Sequence, residues 1–431
     1  MSLVSMDLRQ QHRNGLVPAL ARVTDIVATR GEGAYLFDAR GRRYLDFTSG
    51  IGVTNTGHCH PTVVAAVRAQ AGRLLHGQAG IVSHEPMLAL MDELTALLPD
   101  GLDTFFFANS GAEAVEAAIK LARRATGRPN LIVFQGGFHG RTIGALSLTS
   151  SKADYRAGYA PLMGGVHFAP YPYAYRYGWG DEETLAWSIR ELQRVLRLET
   201  TPRDTAAILV EPVLGEGGYV VPPKGFLHAL RRLCDEHEIL LIADEVQTGF
   251  GRTGRFFAVD HSAVRPDVLV MAKAIASGLP LGAIATSEAL ADRWPSGAHG
   301  STFGGNVVAC AAALATLNVI RDENLVDNAS LMGALLLDGL RALQRRSPVI
   351  GDVRGLGLMV GVELQARGTS SASRLAKEVQ RRCREEGLLL LTCGPNDQVI
   401  RWIPPLIVQP EQIAIGLSIF EWAVEHAEQT L

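Results

Sequence analysis

Between residues 85 and 285 short apolar runs alternate with stretches of helical periodicity, and this alternation narrows the fold more than any other feature. The runs at 104–108, 131–134, 206–210, 239–243, 268–271 and 282–286 are nearly free of charge. Strands covered on both faces of a parallel sheet read this way. Segments 85–98, 111–125, 183–198 and 225–237 read as helices between them. Repeated strand, helix, strand units predict an α/β fold with a mixed or parallel sheet between helical layers. With 431 residues, 47% of them hydrophobic, the chain is long enough for such a core and a lesser domain besides.

In a sheet of this kind ligands gather beyond the carboxyl ends of the strands, so the residues just after each run deserve the first look. Asp244 follows the run 239–243, and Lys273 stands two residues after the run 268–271. A lysine there can form an imine with a carbonyl, and an aspartate at the same rim can hold a heteroaromatic cation. Together they suit pyridoxal phosphate. Ser110-Gly111-Ala112-Glu113 has capping-box spacing after the run 104–108; it is either a plain helix cap or a phosphate seat built from free N–H groups and a helix dipole. Phe138-His139-Gly140-Arg141-Thr142 is either a glycine turn with a surface arginine or an aromatic face beside a carboxylate-binding cation. Glu211-Pro212 places another carboxylate at a strand end.

The formal charge of −3 gives no reason to expect nucleic acid or an anionic membrane as partner. The longest nearly apolar stretch, 307–320, is too short for a bilayer span and reads as a packed helix. Five cysteines without a CxxC pair argue against a disulfide framework and fit a cytoplasmic location. No signal-peptide pattern opens the chain, and Met1-Ser2-Leu3 resembles an expression scar. His58-Cys59-His60 is read as a lead-in to a helix starting at Pro61 rather than as a metal site. Residues 35–47 form a hairpin pattern, 49–55 a glycine-rich loop, and 155–181 a long irregular loop rich in Tyr, Pro and Gly. After 306 come helices at 325–346 and 371–386, strands in 350–363, 387–391 and 399–403, and a closing helix from Pro410. The expected division is an N-terminal segment (1–60) packing with the small domain, a large cofactor domain (61–315) and a small α+β domain (316–431).

Taken in order, Ser110-Gly111-Ala112-Glu113-Ala114, Phe138-His139-Gly140-Arg141-Thr142, Glu211-Pro212, Asp244-Glu245-Val246-Gln247 with its glycine-rich continuation to Gly254, Lys273, and Gly300 to Asn306 resemble the class III aminotransferases of fold type I. The resemblance implies a large domain on a mostly parallel seven-stranded sheet, a smaller α+β domain, and pyridoxal phosphate as cofactor. It assigns Lys273 the imine and the proton transfers, and Asp244 the pyridine nitrogen. Val246 and Phe138 take the two ring faces, Gln247 the phenolic oxygen, and Ser110, Gly111 and Ala112 the phosphate. His139 and Glu211 join the cofactor set, and Thr302 reaches the phosphate of a neighbouring subunit, which implies a homodimer. Arg401 matches an arginine that takes the α-carboxylate of glutamate or 2-oxoglutarate. Glu211 matches a glutamate that can pair with it, Arg141 a distal-carboxylate position, and Ile51 an apolar position of the same pocket. This set resembles transaminases of 4-aminobutyrate and other ω-amino acids, which pass the amino group to 2-oxoglutarate. Amino-acid racemases and ornithine- or acetylornithine-type aminotransferases are the alternatives. Small residues at Gly77-Gln78-Ala79-Gly80 suggest a roomier pocket.

Overall fold

The computed structural model describes residues 17–430 except 367 and 369. Residues 1–16, with Met1-Ser2-Leu3 among them, lie outside that set. The N-terminal hairpin contributes β1 (Ala28–Glu32), β2 (Tyr35–Asp38) and β3 (Arg43–Asp46). The Asp38 carboxylate accepts from the backbone of Arg40 and Arg42 and so closes the turn of the expected hairpin. His60 caps the helix Pro61–Ala71 and also meets Glu323 at 2.9 Å, while His58 meets Asp46 at 2.8 Å. The two histidines thus turn to different partners.

The central sheet contains β4 (Thr104–Ala108), β5 (Asn130–Phe134), β6 (Val166–Ala169), β7 (Thr205–Val210), β8 (Leu240–Asp244), β9 (Val268–Met271) and β10 (Gly282–Thr286). Its order is β4-β10-β9-β8-β7-β5-β6, and only β10 runs against its neighbours. Successive side chains point to opposite faces, and both faces are covered. Leu241, Ala243, Leu269 and Met271 belong to one core, whereas Ile242, Val268 and Val270 join the other with Val115, Ala118 and Ala122 of the helix Gly111–Thr126. The uninterrupted apolar runs are the sequence record of this double burial.

The seventh strand, β6, falls inside the stretch expected to be irregular. It is a four-residue edge strand bonded on one side only, to β5, so a short run between Gly165 and Pro170 suffices and gives little signal. The expected loop at 49–55 begins with a tight left-handed turn, in which Ser49, Gly50, Ile51 and Gly52 all have positive φ.

After the helices Val307–Asp322 and Leu325–Gln344 come β11 (Ile350–Leu356), β12 (Met359–Leu364), β13 (Leu388–Leu389), β14 (Leu391–Cys393) and β15 (Val399–Trp402). The single strand expected at 387–391 is split. β14 completes the antiparallel sheet β11-β12-β15-β14, while β13 pairs in parallel with β3 of the hairpin. Helices Ala372–Glu385 and Pro410–Thr430 pack on each other beside these strands. Among the described residues no helix is long and apolar enough to cross a membrane.

At Gly282 the first residue of β10 meets the turn that begins the helix Gly111–Thr126. A Cβ there would lie 2.5 Å from the Ser110 carbonyl oxygen. Gly282→Ala is expected to cost about 1–3 kcal/mol of stability through forced displacement of backbone. It should also weaken ligand binding at Ser110, which paired chemical denaturation and ligand titration would reveal; unchanged values in both would show that the turn adapts freely.

Candidate active site

The carboxyl ends of β4, β5, β7, β8 and β9 face one rim, where a cavity of about 420 Å³ opens. That volume lies in the usual range for small-molecule sites, about 300–1,000 Å³. From β4 come Ser110, Gly111 and Ala112. Ser110 Oγ accepts from Glu113 N at 3.2 Å, and the Glu113 carboxylate accepts from Asn109 N at 2.6 Å, so the helix entry is closed on both sides. The first turn of a helix leaves N–H groups without intrahelical partners, and Gly111 and Ala112 of this turn line the cavity. Gly111 has no room for a side chain, since a Cβ would lie 2.9 Å from Val246 Cγ1.

The turn after β5 supplies Phe138, His139 and Arg141. His139 Nδ1 and Asp244 Oδ2, both buried, are 2.7 Å apart, and Asp244 Oδ1 accepts from Val246 N. The histidine thereby fixes the carboxylate at the end of β8. Arg141 is exposed, with its guanidinium over the Tyr155 ring at 3.6 Å. Glu211, at the end of β7, accepts from Phe138 N at 2.8 Å and Gly215 N at 2.9 Å. Burial pushes its carboxyl up to about 7; His139 opposes this and Asp244 adds to it.

Val246, Gln247 and Lys273 complete the cavity wall. Gln247 Oε1 is buried without a hydrogen-bond partner among the described residues. Lys273 has φ 48°, a left-handed conformation that costs an L-residue energy and is found where a site demands it. Desolvation holds its amine below the ordinary lysine range, assisted by Arg401 and opposed by Glu216, Asp244 and Glu211.

Three expected residues do not line this cavity. Ile51 and Thr302 are exposed, and Arg401 on β15 is buried behind the wall. The expected pairing of Glu211 with Arg401 is corrected. Arg401 Nη1 donates to Glu216, five residues further on, because Glu211 is already committed to two backbone donors. Burial works against the Glu216 charge, but the Arg401 guanidinium outweighs it and holds the carboxyl below its usual range. Glu216 lines the cavity and was missed, as was the wall from Gly278 to Leu281. The only sequence signal for Glu216 is a second carboxylate within the glycines 215, 217 and 218. Residues 77–80 also stand outside the cavity, with Gln78 against the 301 carbonyl.

Residues 18–424 match the family profile of aminotransferase class-III. The chain belongs to that family. A 5-aminovalerate aminotransferase of Pseudomonas aeruginosa is 40% identical over 422 residues, 97% of this chain and 98% of the relative. A 4-aminobutyrate aminotransferase of Escherichia coli is 41% identical over 426 residues, 98% and 99% of the two chains. Among solved structures, a PLP-bound amine transaminase from an uncultivated Pseudomonas species superposes with a TM-score of 0.89 at 33% identity, covering 96% of this chain and 97% of that one. This class III aminotransferase is therefore a fold type I enzyme whose cofactor is pyridoxal phosphate. The cavity fits that group: it offers an amine, a fixed carboxylate, an unpartnered amide oxygen, and a helix N-terminus approached closely through Gly111.

The depressed Lys273 amine has a consequence for stability. In an unfolded chain lysine titrates near 10.5, so below that pH the unfolded state binds more protons at this position than the cofactor-free folded state. Stability is lost as pH falls through the folded value and recovered as it rises toward 10.5. Denaturation of the cofactor-free protein should show stability rising as pH climbs toward 10.5, a rise that Lys273→Met flattens; an identical rise in the variant would mean the amine is not held low.

Proposed function

We propose that this aminotransferase moves the amino group of an ω-amino acid such as 4-aminobutyrate to 2-oxoglutarate, giving succinate semialdehyde and glutamate. The observation that carries this choice is the buried Arg401–Glu216 pair behind a cavity whose open side holds Arg141. An ω-amino acid has its single carboxylate far from the amine. It needs Arg141 and leaves Arg401 neutralised by Glu216. The keto acid brings two carboxylates, and its α-carboxylate takes Glu216's place on Arg401. Relatives named for 5-aminovalerate and 4-aminobutyrate support the same reading.

Bound pyridoxal phosphate supplies a carbonyl that condenses with amines and a ring that draws off electrons released at the substrate carbon. Lys273 Nζ holds the cofactor and, once freed, carries the proton at that carbon, a task its lowered basicity suits. Asp244 keeps the pyridine nitrogen protonated, and His139 fixes the carboxylate for it. Ser110, Gly111 and Ala112 seat the phosphate. Val246 and Phe138 would take the two ring faces, and the Gln247 amide would meet the phenolic oxygen. Glu211 orients the Phe138 turn through its two backbone bonds. Ile51 belongs to the substrate end of the site.

Mixing the holoenzyme with 4-aminobutyrate alone should convert the bound cofactor to its amine form, followed by absorbance. Arg401→Ala is expected to injure the 2-oxoglutarate half-reaction more than the donor half-reaction, and Arg141→Ala to injure both. Loss of one partner of a buried charge pair typically costs about 2–5 kcal/mol, so the contrast is measurable. Enantiomer exchange of an α-amino acid without cofactor conversion would replace this reading with a racemase.

The active form in this proposal is a cytoplasmic homodimer, with Thr302 completing the neighbouring phosphate site. The five cysteines, all free, are consistent with a reducing compartment. What supports the dimer is a pair of touching segments that expose apolar side chains. The His76 and Phe303 rings are 5.2 Å apart, Asn306 Nδ2 donates to the Leu75 carbonyl, and Ile81 and Phe303 are 80% and 59% exposed. Such a patch beside a site loop suits a second copy of the chain. Ile81→Glu with Phe303→Glu should give a monomer in sedimentation that binds cofactor weakly; a persistent dimer would place the interface elsewhere.

A further inference from the structure

Glu216 works from a loop that is gripped from outside the cavity. Leu214 and Val220 close the loop by exchanging backbone hydrogen bonds of 3.1 and 3.2 Å, and Gly394 N donates to the Glu216 carbonyl at 2.9 Å. Opposite these contacts, Arg354 of β11 donates to the Gly218 carbonyl from Nε at 3.0 Å and from Nη2 at 2.6 Å. The rest of the guanidinium is held as firmly. Nη1 reaches Asp352 at 2.6 Å, Nη2 reaches the Tyr173 hydroxyl and Glu363 at 2.7 Å each, and Tyr173 donates to Glu363. Arg354 does not line the cavity. A rigid, planar fork with this many fixed partners sets a direction as well as a charge.

We propose that Arg354 is a positioning residue for substrate choice: by fixing the Gly218 carbonyl it fixes the backbone from which Glu216 reaches Arg401. This rests on the exchange of Glu216 and an α-carboxylate at Arg401 described above. With its main chain held at residues 216 and 218, Glu216 leaves and returns by side-chain rotation, and the loop stays in place. A loosened loop seats Glu216 poorly, so Arg401 stays partly uncompensated when the donor has no α-carboxylate. Donors that carry an α-carboxylate supply the counter-charge themselves and are spared.

The test is a double-mutant cycle on the holoenzyme with 4-aminobutyrate and glutamate as alternative donors. Arg354→Lys keeps the charge and loses the fork; it should lower the ratio of kcat/KM for 4-aminobutyrate to that for glutamate by about tenfold, an ordinary coupling for residues in one network. In a Glu216→Ala background the same substitution should move the ratio by less than about twofold. Equal loss with both donors, or the same drop without Glu216, overturns the proposal. Should Arg354→Lys fail to fold, Tyr173→Phe, which removes one of the fork's anchors, carries the cycle with a smaller effect of the same sign. A wild type that refuses 4-aminobutyrate defeats the ω-amino-acid reading alone; the cycle then uses glutamate against butylamine, and its two outcomes keep their meaning.

Discussion

Covering a mostly parallel sheet on both faces leaves its carboxyl-end rim as the place where polar groups can meet without breaking the core. Here β4, β5, β7, β8 and β9 all end at one rim, and the crossover from β4 to β5 passes behind four other strands. The opening produced by that change of direction receives the helix entry at Ser110, the Phe138 turn, and the side chains of Asp244 and Lys273. Everything described at the site depends on this one constraint. Gly282 and Gly111 show how closely the backbones around the opening approach each other.

Within the opening, charge is arranged so that neighbouring carboxylates differ in kind. Glu211, pushed up to about 7 by burial, is held by backbone N–H groups and shapes a turn. Glu216, held low beside Arg401, is the counter-ion of that guanidinium. Asp244 is a third case, fixed by His139 and aimed along the strand end. Lys273 stands among them with its amine weakened by desolvation. A uniformly acidic wall would have favoured the protonated amine and made it a poor nucleophile.

Much of this was legible in the residues because double burial leaves a coarse mark. Six of the seven central strands appear as apolar runs, and the residues following five of them fall on the cavity wall; β10, which runs the other way, meets it at its start. The seventh, β6, escaped because an edge strand of four residues between a glycine and a proline carries too little pattern. Glu216 escaped for a different reason: it lies in a loop of glycines, where no periodicity says which way a side chain faces. The partner of Arg401 was misassigned to Glu211 because chain position alone cannot tell a carboxylate already satisfied by backbone from one still seeking a cation. Arg354 carries no mark of its own, since its place depends on Gly218, more than a hundred residues earlier in the chain.

The parallel pairing of β13 with β3 joins residue 45 to residue 388, and the same end of the chain is stitched again where Ser49 Oγ donates to the Ile403 carbonyl and Leu406 N to the Asn55 carbonyl. Such contacts make the order of synthesis matter. A chain emerging from the ribosome can assemble the central sheet once β10 is out, but its N-terminal hairpin must wait, half-made, for the last tenth of the polypeptide. The turn at Ile51 and the strand bearing Arg401 therefore take shape in one late event. The turn at Ile51 and β15 mature after the sheet rim that bears Asp244 and Lys273.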